Sequence, residues 1–335
     1  MGFHAYAARR ARGRLAPFVY RPERLGPHDV ELRISHCGIC HSDVHLVDGD
    51  WGASNYPMVP GHEIVGSVAA LGASVRQLRR GQRVGVGWQR GACLECDPCL
   101  RGEENLCADE IATCVDHHGG FADRIRVDSR FAFPIPETLA SEQAAPLLCG
   151  GITVYAPLRR HARADARVGV LGIGGLGHLA LQFARAMGCE VTAISASPDK
   201  EAEAFGFGAH RFVLAREPRA LRAVAGTLDF LLSTVFRPLD TAPLFDTLRP
   251  NGALCFVGVP AAPLQLDVGS MLGRQLGVAT SAIGGRAVIR EMLDFAARHG
   301  TLPKVQLLPL AEANAALAQV RKGRARYRVV LAVPQ

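Results

Sequence analysis

The sequence predicts an α/β protein made of an irregular β-rich domain followed by a doubly wound, parallel-sheet domain. Three observations carry that prediction. Before about residue 137, short β-branched runs are punctuated by Gly and Pro, and helical periodicity is almost absent. From Arg167 onward, compact apolar strands alternate with Ala- and Leu-rich helices. Between the first of those strands and its helix stands a G-x-G-x-x-G turn, Gly172-Ile173-Gly174-Gly175-Leu176-Gly177.

In chain order, residues 29–34, 64–70, 82–87 and 121–127 read as strands of the first region, with long loops between them. The texture changes at residues 134–145. There Ser141-Glu142-Gln143-Ala144-Ala145 opens a helix that runs into Leu147-Leu148-Cys149 and on to Tyr155. Residues 168–171, 190–194, 212–214, 228–234, 252–258 and 277–281 then read as strands, with helices over 178–187 and 200–207. After Gly284-Gly285 come a helix over 287–299, an apolar run at 307–310, a helix over 312–321 and a strand over 327–333. This tail no longer alternates like the sheet domain and is expected to return to the first domain. The domains are therefore placed at 1–149 with 285–335, and at 150–284.

The bulk properties bound the function. The chain has 335 residues, 48% of them hydrophobic, enough for two medium-sized cores. It lacks an unbroken apolar run of the roughly 18–20 residues that span a membrane, and its start lacks a secretory apolar stretch. Tyr6 stands where a myristoylation motif needs Ser or Thr. The expectation is a cytoplasmic chain with no membrane partner. The net charge of +7 comes from scattered arginines without interleaved aromatics, which argues against nucleic acid and suits an anionic small ligand. Ten cysteines in such a chain point to metal rather than to a disulfide framework. Cys114, Cys189 and Cys255 look isolated.

Cys93-x2-Cys96-x2-Cys99-x7-Cys107 is the strongest metal signal. Two-residue gaps let a tight turn present sulfurs on one side, and a fourth thiolate closes a tetrahedron around Zn²⁺. Four protein ligands leave no open position, so such a site is structural. An iron–sulfur cluster and four free thiols are the alternatives, and dense free thiols would be an oxidation liability.

In the glycine turn, Gly172 allows the tight bend, Gly174 lets a pyrophosphate approach the backbone, and Gly177 allows close helix–strand packing. Gly175 and Leu176 complete the loop at the helix N-terminus. An NAD site places Asp or Glu about twenty residues later, at the end of the second strand. Here that position is Ser195, followed by Ser197 and Lys200, which leaves room and donors for a 2′-phosphate. NADP(H) is the cofactor this predicts, with Asp199 as the counter-signal.

Given a nicotinamide domain, Cys40, His62 and Cys149 make sense together. A catalytic zinc takes three protein ligands and keeps one open position, and two Cys with one His is an established set. Cys149 lies where the first domain meets the second.

At this point the residues resemble the zinc-dependent medium-chain alcohol dehydrogenases, in the branch of cinnamyl alcohol dehydrogenases and bacterial NADPH-dependent aldehyde reductases. The matching words are Cys37-Gly38-Ile39-Cys40-His41-Ser42-Asp43, the run from Tyr56 to Gly66, and the four-cysteine lobe. Ala145-Pro146-Leu147-Leu148-Cys149, the glycine turn, Ile283-Gly284-Gly285 and Arg326-Tyr327-Arg328 extend the match over nearly the whole chain. The resemblance implies a GroES-like catalytic domain beside a Rossmann domain, two Zn²⁺ per chain, a small aldehyde or alcohol as substrate, and a homodimer. It implies that Cys40, His62 and Cys149 hold the catalytic zinc. Glu63 matches a carboxylate close to the metal, and Asp43 one that orients the histidine ligand. Ser42 matches the hydroxyl that hydrogen-bonds the substrate oxygen, and His45 the imidazole at the solvent end of a proton relay. Thr153 matches a residue near the nicotinamide. Trp51, Trp88 and Ile283 fall in the substrate pocket. Cys37 has no ligand counterpart and reads as packing.

There are two departures from the family pattern. The stretch between Cys107 and Gly119-Gly120 looks short and carries His117-His118, read as a loop pair. Trp88 stands where nearby relatives often have a smaller residue, so lignin-type cinnamaldehydes do not carry over. The function implied is reduction of an aldehyde with NADPH. A polyol or secondary-alcohol dehydrogenase on the same scaffold is the runner-up, and a non-catalytic zinc- and nucleotide-binding sensor is the alternative of another class.

Overall fold

A computed structural model gives the fold and describes residues 2–260 and 262–334. Met1 and Gln335, the ends of the expected catalytic domain, and Ala261 lie outside the described residues. The chain divides into two compact units. One comprises Met1–Ile152, Gly284–Arg298 and Leu302–Gln335; the other comprises Thr153–Ile283 and His299–Thr301.

The first unit is built on a seven-stranded sheet. Its order is Val305–Pro309, Arg328–Ala332, Asp29–Ile39, Glu63–Leu71, Arg83–Val86 and Phe133–Pro134, with Arg124–Asp128 also paired to Asp29–Ile39. The long strand Asp29–Ile39 organises it. Val30, Leu32 and Ile34 alternate onto the core face and are fully buried. Glu31, opposite Arg126 in the register, is clamped by Arg124 at 2.6 Å and Arg126 at 2.8 Å from the neighbouring strand.

The register then sets the chemistry. Gly38 pairs with Glu63 and Ile39 pairs with Val329, so Cys40, His62 and Arg328 emerge at one end of the sheet. The tail runs back into this sheet through Arg328–Ala332, which pairs antiparallel with residues 36–39.

Two elements differ from the sequence expectation. A helix, His41–Asp48, follows directly on the long strand, capped by Cys40 and ended by Gly49 at φ 74°. Its composition hides it, because His, Ser, Asp and Val are all modest helix formers. Tertiary packing overrides that, since Val44, Leu46 and Val47 are buried.

The expected helix from Ser141 is three pieces: Ser141–Pro146, a π-helical turn at Leu147–Gly151, and Ile152–His161. Cys149 sits within the π turn, a widened geometry often found at functional sites.

The second unit is a six-stranded, wholly parallel sheet. Its order is Arg211–Leu214, Glu190–Ser195, Arg167–Leu171, Leu228–Ser233, Leu248–Phe256 and Gly277–Thr280. In sequence rank this is 3-2-1-4-5-6, the dinucleotide-binding order, which places the switch point beside Arg167–Leu171. Among the described residues, no helix is long and apolar enough to cross a membrane.

Candidate active site

The site grows from Asp43, which is fully buried in the first turn of the helix His41–Asp48. Its Oδ2 accepts the Cys40 N–H at 2.9 Å, closing the helix cap. Its Oδ1 accepts the Gly61 N–H at 2.8 Å and lies 3.0 Å from His62 Nδ1. One carboxylate thus ties two loops together and fixes the ring of His62. With Nδ1 committed to Asp43, Nε2 is the ring atom left for a metal, and it lies 3.3 Å from Cys149 Sγ.

Cys40, His62, Glu63 and Cys149 converge here, each offering one ligand atom, all within 4.8 Å of one another. The donor set fits a tetrahedral metal. Zn–N and Zn–S bonds at tetrahedral angles put N and S about 3.6 Å apart.

The electrostatics fit as well. A hydrogen bond from Cys149 holds the Cys40 thiol well below its usual range, and that same bond pushes Cys149 well above. The two sulfurs therefore share a proton that a cation would displace. Burial lowers the His62 pKa, but Asp43 and the Cys149 sulfur outweigh it and raise it well above the usual value.

Glu63 is fully buried beside this cluster. Burial raises its carboxyl to about 7, while Arg328 opposes the rise. Oε1 accepts from the Arg328 guanidinium, whereas Oε2 and Arg328 Nε are buried without partners. An orphaned oxygen beside two thiols and an imidazole is what a nearby cation would satisfy.

Ser42 and His45 lie three residues apart on the same helix, hence on one face. Ser42 Oγ is 3.7 Å from Cys40 Sγ. His45 reaches solvent, with one third of its side chain exposed, and its Nδ1 lies 2.9 Å from Asp50 Oδ2. The indoles complete a row of rings. His45 stacks on Trp51 at 5.1 Å, Trp51 meets Trp88 edge-on at 6.2 Å, and Trp88 stands at 84° to His62 at 5.1 Å. Glu110 Oε1 accepts from Trp88 Nε1 at 3.4 Å.

The four-cysteine lobe brings its sulfurs to 3.5 Å (Cys93–Cys107), 3.8 Å (Cys96–Cys107) and 3.9 Å (Cys93–Cys99). A zinc tetrahedron with Zn–S near 2.3 Å has edges of about 3.8 Å, so the four thiols fit that ion. Backbone N–H groups of Glu95 and Cys96 lower the Cys93 thiol to about 7, while burial lifts Cys99 to about 12. Glu104 anchors the lobe. It takes the Arg286 N–H at 3.0 Å and the Arg286 guanidinium at 2.7 Å.

In the second unit, Gly172 turns at φ 88°. A Cβ on Gly177 would run into the Gly172 carbonyl, whereas one on Gly174 would meet nothing within 4 Å. That open side at the N-terminus of the ten-residue helix Gly177–Ala186 suits a phosphate approaching backbone, with Gly175 and Leu176 between the two glycines. Ser195 ends its strand buried, its Oγ accepting the Ser197 N–H at 3.1 Å. Lys200 Nζ donates to the Ile173 carbonyl at 2.6 Å, so the lysine reaches the glycine turn. Thr153 and Ile283 are both half-buried, Ile283 with φ 39°.

Several residues escape the sequence reading. Cys114 is not isolated: its sulfur clusters with Asp43 and His62 within 4.8 Å. Asp50, Glu110 and Arg328 also join the site's surroundings. Arg328 stood within a recognised word but without a role. Cys114 and Glu110 carry no spacing signal. Cys37 is fully buried in the core, as its packing role requires.

Comparisons with known proteins agree with this geometry. Residues 26–137 match the alcohol dehydrogenase GroES-like domain, and residues 175–298 match the zinc-binding dehydrogenase domain. The chain is 45% identical to aldehyde reductase AdhA of Synechocystis sp., over 98% of both proteins. Cinnamyl alcohol dehydrogenase SbCAD4 from Sorghum bicolor superposes with a TM-score of 0.95 at 37% identity, covering 99% of this chain and 98% of that one. CAD from Helicobacter pylori, complexed with NADP(H), superposes with a TM-score of 0.92 at 32% identity, with the same coverage. A cluster of Cys40, His62 and Cys149, a four-thiol lobe and a glycine-turn unit on one chain, matched by both domain models and by the aldehyde reductase relative, place it in the zinc-binding medium-chain alcohol dehydrogenase family, in the cinnamyl-alcohol-dehydrogenase-like branch.

Proposed function

We propose that this chain is an NADP(H)- and zinc-dependent oxidoreductase that interconverts primary alcohols and aldehydes, working mainly as an aldehyde reductase. The observation that carries the reading is the Asp43–His62 pair, which leaves His62 Nε2 facing Cys149, with Cys40 in the same cluster.

In this reading Cys40, His62 and Cys149 hold the catalytic Zn²⁺, and Cys93, Cys96, Cys99 and Cys107 hold a structural one. When bound, the catalytic zinc polarises a carbonyl oxygen and NADPH supplies hydride to the carbonyl carbon. Asp43 keeps His62 in the Nδ1–H tautomer. Ser42, beside Cys40, donates its hydroxyl proton to the substrate oxygen as charge develops there. His45 restores that proton from water, its Nδ1 steadied by Asp50. Glu63 balances the charge of the ligand cluster against Arg328. Trp51 and Trp88 wall the aldehyde and keep water from it, and Ile283 and Thr153 belong to the substrate and nicotinamide regions.

The preference for NADP(H) rests on Ser195 in place of a carboxylate, with Ser197 and Lys200 close behind. The NADP(H) complex of the Helicobacter pylori relative supports it. A homodimer is also proposed. Gly277–Thr280 is an edge strand, and Val259, Leu266, Val268 and Leu272 nearby in sequence are exposed by 80, 43, 67 and 77%.

Turnover of aliphatic and aromatic aldehydes with NADPH and with NADH, together with metal analysis, tests the whole reading. Two zincs per chain and faster turnover with NADPH are expected. One zinc without turnover would favour a sensor instead.

A further inference from the structure

We propose that the first unit carries a second ligand pocket, separate from the aldehyde site, that takes a small aromatic carboxylate and modulates turnover through Cys114. The pocket is a cavity of about 450 Å³, a volume ordinary for a small-molecule site. It is lined by Tyr20, Arg90, Cys114, His117 and His118, with Arg21 and Arg24 at its exposed rim. None of Cys40, Ser42, His62, Trp51, Trp88 or Cys149 lines it.

Arg90 makes the case for an anion. It is half-buried, and its one hydrogen bond among the described residues runs from Nη2 to the Arg126 carbonyl at 2.5 Å. Its Nε and Nη1 groups have no hydrogen-bonding partner among the described residues, and no carboxylate lies within ion-pair distance of it there. Three acidic residues also line the cavity. Two make other hydrogen bonds, Asp29 from the Gly26 N–H at 2.7 Å and Asp116 from the Asn55 amide, although the Asp29 charge still attracts Arg90 through space. The third, Glu23, is exposed. Arg126 is paired with Glu31, so among the described residues the Arg90 guanidinium is the cation inside the cavity without a carboxylate at contact distance. A planar fork of donors matches a carboxylate two-fold.

The walls specify the rest of the ligand. Tyr20 and His118 pack ring to ring at 4.3 Å, with Phe18 at 5.5 Å from His118, and Phe3, Pro57 and Met58 add apolar surface. Burial pushes the Tyr20 phenol well above its usual pKa, so its hydroxyl stays a donor. The Tyr20 hydroxyl and the His117 ring likewise have no hydrogen-bonding partner among the described residues. Flat aromatic walls with an Arg fork and a phenol favour an aromatic acid over inorganic phosphate.

Coupling follows from Cys114. It lines the pocket and also belongs to the buried cluster with Asp43 and His62, so a ligand seated there presses on the residues that orient His62.

Benzoate titrated calorimetrically into the zinc-loaded enzyme, with parallel kinetics, is the test. Expected are saturable binding, at least tenfold weaker in Arg90→Gln and weaker in Tyr20→Phe, and a change in kcat with the aldehyde KM nearly unchanged. Purely competitive inhibition that both variants preserve would assign benzoate to the aldehyde site and overturn the proposal. So would equal heats in wild type and variants, or no saturable heat. Variant-sensitive binding without any change in kcat would overturn the coupling. If Arg90→Gln fails to fold, Tyr20→Phe and His117→Ala decide by the same measures. Because binding is read by heat, it is judged independently of whether the chain reduces aldehydes.

Discussion

At the scale of single residues, the site depends on a few buried polar groups, some with every hydrogen bond made and two, Glu63 Oε2 and Arg328 Nε, left without a partner. Asp43 accepts three contacts and is the pivot. Ser42 is different, because it holds nothing up. Replacing Ser42 with Ala should lower turnover about 100-fold or more while zinc content stays the same, since only the proton donor is lost. Unchanged turnover would remove Ser42 from the proton path.

Arg328 and Glu63 test the electrostatics. Arg328→Met leaves a buried carboxyl without its cation and should destabilise the protein by about 3–5 kcal/mol at alkaline pH, where the carboxyl would have to ionise unpaired. The sign with pH follows from Glu63, raised from its ordinary 4.5 to about 7. Its neutral form is favoured in the fold, so stability falls as pH rises from about 4.5 through 7. Without Arg328 the pKa moves higher still, so the variant's deficit should be small near pH 5 and grow above pH 7. Denaturant unfolding at several pH values reads it, and adding Glu63→Gln should recover much of the loss. A deficit independent of pH would assign the cost to packing.

At the scale of elements, strand ends and helix starts do the positioning. The long strand ending at Ile39 delivers Cys40 to a helix N-terminus, where the cap and the dipole both favour a thiolate. That helix was not readable from propensity, because its residues are chosen for chemistry and its stability comes from three buried aliphatics. The π turn around Cys149 was equally invisible, since Leu147-Leu148-Cys149-Gly150-Gly151 carries no signal separating it from an ordinary helix. In the second unit, the end of the strand Glu190–Ser195 is where cofactor choice is proposed to be made. Ser195→Asp would put a carboxylate where the 2′-phosphate is proposed to sit. The NADPH-to-NADH preference should fall roughly 100-fold, as a like-charge clash costs several kcal/mol. An unaltered ratio of kcat/KM values would place the 2′-phosphate elsewhere.

At the scale of the whole molecule, the three proposed ligands, separated by 22 and 87 residues, meet because strand register and a helical turn bring them together. The tail contributes as much, since pairing Val329 with Ile39 sets Arg328 against Glu63 across 265 residues of sequence. The proposed homodimer belongs to this scale too. A lysine at the edge strand, Val278→Lys, should shift a dimer toward monomer in light scattering at fixed concentration, because edge charges oppose strand pairing between copies. A dimer of unchanged stability would move the interface to another face.

What the sequence determined by itself was the part written in local spacing. Two-residue gaps between cysteines, a glycine turn between a strand and a helix, and an absent carboxylate at Ser195 are short-range facts, and short-range backbone geometry follows from them. The tertiary structure alone decided what depends on register and burial. It placed Cys114 beside His62, set the two indoles into one row from His45 to His62, and left Glu63 Oε2 and Arg328 Nε buried without partners. The physical reason is that a pKa, a cavity or an unpaired charge is a property of surroundings assembled from distant segments. No window along the chain contains those surroundings.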